Sequence, residues 1–106
     1  MADDTELMDI KEILEQLVQD NDLDKLKEAL QDFPPAHVVD FLIEKSDSEI
    51  IHFLKILDDE ESGRIFSYFS VEKQYEISSI VDKRTFSDVF THMYSDARAD
   101  LFQEFS

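Results

Sequence analysis

The chain has 106 residues, 26 of them acidic and 10 basic, for a formal net charge of −16. Hydrophobic residues make up 42% and aromatics 11%, nine of them Phe, so a folded single domain is expected over residues 1–106 despite the charge. Such a body would be repelled by a duplex or an anionic membrane surface, which argues against a nucleic-acid partner. The chain has no Cys, so disulfides, thiolate zinc sites and Cys nucleophiles are excluded.

The acidic start, MADDTELMD, is wrong for a signal or transit peptide. No apolar run approaches the ~20 residues of a membrane span. The first predicted element covers about residues 5–19, where Leu7, Ile10, Leu14, Leu17 and Val18 fall on one side of a helix. The second covers about 22–32, with Leu23, Leu26, Leu30 and Phe33 on its apolar face. Between them, Asp20, Asp22 and Asp24 imitate the start of an EF-hand loop. Lys25 stands where that loop needs Gly and Gln31 where it needs a bidentate Glu, so the calcium reading is rejected.

From Pro34 the chain repeats with a period of twelve residues. The blocks start at Pro34, Ser46, Asp58, Ser70, Asp82 and Tyr94, and six of them reach Phe105 without an insertion. Block positions 5, 8, 9 and 12 have the i, i+3, i+4, i+7 spacing of one helical face. Nineteen of these 24 cells are apolar, where average composition would give about ten. Ser46, Asp58, Ser70 and Asp82 are good N-cap residues, and Glu49 and Glu61 stand where capping boxes require them. In the last block Ser95 is the expected cap. Helices this short are marginal alone and must lean on their neighbours. The expected fold class is therefore all-α: a superhelical array of short helices with a twelve-residue repeat over 34–105, preceded by the two longer helices. Phe105 ends the last block without a polar cap repeat, which suggests a piece of a longer protein.

Chemistry-bearing motifs are few. His37, His52 and His92 are scattered, Gly63 is the only glycine, and no phosphate loop or catalytic spacing stands out, so no enzyme is expected. The run Asp58-Asp59-Glu60-Glu61 coincides with a helix start, where the dipole already favours negative charge. Asp96 and Asp100 are different. They sit one turn apart on one face, where like charges repel unless something neutralises them.

Two stretches carry a resemblance: EILEQLVQDNDLDKLKEALQDFPPAHVVDFLIE and MYSDARADLFQEF. Together they resemble the cytosolic N-terminal domain of the MgtE family of magnesium transporters, from about Ile13 onward. The resemblance implies a magnesium-sensing regulatory domain on the cytoplasmic side of the membrane, itself soluble and without a span. It implies weakly held Mg²⁺ at an acidic interface, with Asp96 and Asp100 as ligands. The implied partners are CBS domains and a transmembrane domain of the same protein, which would be a homodimer at full length. Arg64 falls where the family has a third acidic residue. An alternative is a helical-repeat scaffold like the middle domain of the flagellar motor switch protein, but its E-H-P-Q motif and Gly-Gly hinge are missing.

Overall fold

The computed structural model describes residues 2–105, with side chains described from Ile10 to Phe105. Leu7 therefore lies outside the described side chains. The described residues form eight helices: α1 (Ala2–Asp20), α2 (Leu23–Asp32), α3 (Pro35–Leu42), α4 (Asp47–Ile56), α5 (Asp59–Phe66), α6 (Val71–Ser78), α7 (Lys83–Thr91) and α8 (Ser95–Glu104). No strand occurs among them.

The twelve-residue register is visible in the backbone. The N-caps of α3 to α8 are Pro34, Ser46, Asp58, Ser70, Asp82 and Tyr94, the six block starts. Their φ values lie between −56° and −69° and their ψ values between 136° and 158°. Ser46, Ser70 and Asp82 each accept a bond from the backbone N–H three residues on, and Ser46 with Glu49 completes a capping box.

Two expected caps are corrected. The box at Asp58 and Glu61 does not form: Lys27 holds Asp58 at 3.0 Å, and Arg64 engages Glu61. The last cap is Tyr94 rather than Ser95. Tyr94 has no capping side chain, but its backbone N–H donates to Ser67 Oγ at 2.9 Å, so a neighbouring turn fixes where α8 begins.

Helix ends are closed with little glycine. Among the described residues the only non-glycine with positive φ is Asn21, at 55°, in the turn between α1 and α2. The later helices tighten their last turn instead, with bonds such as Phe69 N to Phe66 O at 3.1 Å and Met93 N to Phe90 O at 3.2 Å.

Packing skips a helix. α1 lies on α3, α3 on α5 and α5 on α7, while α6 lies on α8; α1 with α2, α2 with α3 and α4 with α5 add neighbour contacts. This alternation is compatible with superhelical winding. The radius of gyration is 13.7 Å, near the ~13 Å of a 100-residue globule. The short helices therefore close around one core instead of stringing out.

Position 8 of every block is buried: Phe41, Phe53, Ile65, Ile77, Val89 and Leu101. Each such side chain contributes on the order of 1.5–3 kcal/mol of burial, which short helices lack alone. Leu14, Leu26 and Leu30 join the core from α1 and α2, whereas Leu23, expected on the apolar face, is exposed.

The polar residues at position 5 share one task. Ser62 Oγ donates to the carbonyl of Leu54, Gln74 Nε2 to the carbonyls of Phe66 at 2.9 Å and Phe69 at 3.0 Å, and Arg98 Nη1 to that of Thr91 at 3.0 Å. Leu54, Phe66 and Thr91 all lie in the last turn of the preceding helix, whose carbonyls lack intrahelical donors.

Candidate functional site

α8 presents the predicted acidic pair on a supported platform. Leu101 is buried and Met93 closes the turn before the helix, while Ser67 and Arg98 tie α8 to its neighbours. Asp96 lies in the first turn and Asp100 one turn later, a rise of about 6 Å along the axis. Both are exposed. Asp96 Oδ1 accepts from the N–H of Ala97 at 2.9 Å, as suits a carboxylate at a helix start. Neither Asp forms a salt bridge among the described residues. Two water-facing carboxylates with no basic partner suit Mg²⁺, which takes one or two carboxylates and keeps several waters. Among the described residues, no group of three or more His, Asp or Glu is placed to hold a metal.

The other acidic run lines a cleft that spacing alone does not reveal. Asp58, the N-cap of α5, and Glu60, Glu61 and Arg64 within it meet Gln31 of α2 and His92 and Tyr94 of the α7–α8 turn around about 340 Å³. Arg64 Nε donates to Glu61 Oε1 at 2.8 Å, and its Nη2 to Glu61 Oε2 at 2.6 Å. Glu61, and more weakly Tyr94, hold the guanidinium charge and push its pKa up. Arg64 thus takes its carboxylate partner from its own helix. The cleft joins residues more than sixty positions apart, and no local pattern announces it.

The remaining candidates are structural. Asp22 caps α2, its Oδ1 accepting from Lys25 N at 3.2 Å, which accounts for the imitation of a calcium loop. His92 Nδ1 lies 2.8 Å from the Asp88 carbonyl one turn back, and His52 sits beside the Phe53 ring. His37 is half-buried, its Nδ1 without a hydrogen-bond partner among the described atoms. No helix is long and apolar enough to cross a membrane among the described residues.

Short stacked helices with their caps in fixed register and carboxylates outermost define an acidic helical-repeat domain. The MgtE intracellular N domain family model matches residues 33–106, the whole repeat array, and the chain belongs to that family. The match begins at Phe33, the C-cap of α2, so α1 and α2 lie outside it. No curated protein and no solved structure matches the chain.

Proposed function

We propose that the chain is the regulatory, magnesium-sensing part of a magnesium transporter, and that it meets adjoining CBS domains through an acidic surface bridged by divalent cations. The observation that carries this reading is the exposed Asp96 and Asp100 pair on α8, without a basic partner among the described residues, in a chain of the MgtE intracellular N domain family. The chain works on the cytoplasmic side of the membrane and catalyses no reaction. Its partners are the CBS and transmembrane domains of the same protein, in a homodimer. Nucleic acid is not among them.

Charge supplies the mechanism. A body of net charge −16 repels an acidic neighbour. Mg²⁺ between the two turns repulsion into bridging, so the docked arrangement is favoured by its greater affinity for the cation. Asp96 and Asp100 would hold the ion on this side while the neighbour supplies the rest of the shell. The family assignment and the missing motor-switch motifs both weigh against the scaffold reading.

Thermal unfolding of the unit formed with the CBS domains tests the proposal. MgCl₂ should raise the midpoint more than NaCl at equal ionic strength, and Asp96→Asn with Asp100→Asn should erase that excess. Equal shifts in the two salts would reduce the effect to screening and overturn the proposal.

A further inference from the structure

The start of α8 is set from outside the helix. Ser46, Ser70 and Asp82 cap α4, α6 and α7 with their own side chains, whereas Tyr94 brings no capping side chain to α8. This end is held by Ser67, the C-cap of α5, twenty-seven positions earlier. Its hydroxyl accepts from the Tyr94 N–H at 2.9 Å and donates to the Gly63 carbonyl at 2.8 Å. A hydroxyl can do both at once. One oxygen therefore joins the last turn of α5 to the residue at which α8 begins, and both of its partners are backbone.

Neighbouring contacts converge on the same turn. Gly63 lies so close to the turn that a Cβ on it would stand 2.4 Å from the His92 backbone carbon. The Tyr68 and Tyr94 rings meet edge to face, with centroids 6.0 Å apart. Further along α8, Leu101 is buried and Arg98 Nη1 donates to the Thr91 carbonyl at 3.0 Å. Arg98 is two residues from each of Asp96 and Asp100, about 200° round the helix. Its tie therefore lies on the far side of α8 from the acidic pair, and the turn that carries Asp96 is anchored through Tyr94.

We infer that Ser67 is a positioning residue for the cation site: its hydroxyl fixes where α8 begins, and so where Asp96 and Asp100 are presented to the neighbouring domain. This role rests on the magnesium reading above. Mg²⁺ demands near-ideal octahedral geometry with ligands at about 2.0–2.1 Å. Two half-sites on separate bodies meet that demand only when each is held within about 0.5 Å. Asp96 moves with the first turn of α8, since its Oδ1 accepts from the Ala97 N–H at 2.9 Å. Without the Ser67 hydroxyl the Tyr94 N–H turns to water and that turn frays. The bond is exposed, so its loss costs the fold little. It costs more to a site whose ligands must stay in one place.

Two measurements test this role, on Ser67→Ala and on Ser67→Thr, which keeps a hydroxyl. In the 106-residue chain in EDTA, amide hydrogen exchange at Tyr94 and through the first turn of α8 should quicken about fivefold in Ser67→Ala. It should stay near the unaltered rate in Ser67→Thr. In the unit formed with the CBS domains, the MgCl₂ concentration giving half of the thermal shift should rise at least about threefold in Ser67→Ala. Ser46→Ala, which removes the cap of α4, is the structural control. It should lower the melting temperature in EDTA and leave that concentration where it was. Unchanged exchange in Ser67→Ala overturns the inference. So does a magnesium concentration that stays put in Ser67→Ala or moves equally in Ser46→Ala. An unaltered unit with no shift beyond that of NaCl removes the magnesium reading and this role with it. A clear excess that is indifferent to Ser67 removes this role alone.

Discussion

At Gly63 two helices meet with almost no space between them. A Cβ built there would lie 2.4 Å from the backbone carbon of His92 and 2.5 Å from its oxygen. Backbone cannot swing aside as a side chain can, so Gly63→Ala must part α5 from the end of α7. A loss of about 1–3 kcal/mol is expected in urea unfolding, the usual cost of overpacking. Gln74 makes a second test at this scale. It is buried, and its amide serves two carbonyls. Gln74→Leu should cost about 1–3 kcal/mol, because the carbonyls stay buried without their donor. Sequence pattern marked Gln74 as a failed apolar cell. Only the carbonyl ends behind it explain why a donor belongs there.

Asp82 and Glu49 contribute to the pH dependence of stability. Backbone N–H donors, from Thr85 and Ser46, lower both carboxyl pKa values, with hydrogen bonds from the same residues' hydroxyls next in size. Asp47 is lowered as well, through Glu76 first and then Lys73. A lowered folded-state pKa means stability that is present above the ordinary carboxylate range and lost as pH falls through the folded value. Asp82→Asn keeps a capping oxygen but cannot titrate. Its melting temperature should fall below that of the unaltered chain at neutral pH, and the gap should close in strong acid.

At the scale of the helix, identical register positions do unequal work. Ser70 caps α6 through the N–H of Lys73 at 3.2 Å, whereas Asp58 makes no cap bond and meets only Lys27. Ser70→Ala should therefore cost about 1 kcal/mol. Asp58→Ala should cost less than about 1 kcal/mol, since its one contact is an exposed ion pair. Chemical denaturation of the two variants checks the contrast. From spacing alone both residues are equally good caps, because the competitor for Asp58 comes from α2, more than thirty positions away in the chain. Tyr94 shows the reverse. It is a poor cap by residue type, yet α8 starts there because Ser67 of a neighbouring turn accepts its N–H. Periodicity thus located the block starts, while the identity of each capping group was set by tertiary contacts.

For the molecule as a whole, the all-helical class was legible because one apolar face recurs at constant spacing from Val38 to Phe105. The pairing of alternate helices was not, since every block offers much the same face and nothing local says which neighbour takes it. The candidate site was legible only as a pair, Asp96 and Asp100, and their exposure on α8 needed the fold. The cleft at Arg64 was invisible to spacing because α2, α5 and the α7–α8 turn build it together.

Because α7 grips α5 while α8 grips α6, the two ends of any cut between α6 and α7 remain interleaved. Ile80, in that turn, is exposed and open to a protease. A polypeptide nicked there should still migrate as one species, and separately made halves, 1–80 and 81–106, should reassemble on mixing. Recovery of helical circular dichroism beyond the sum of the two halves would reveal the reunion, and strict additivity would disprove it.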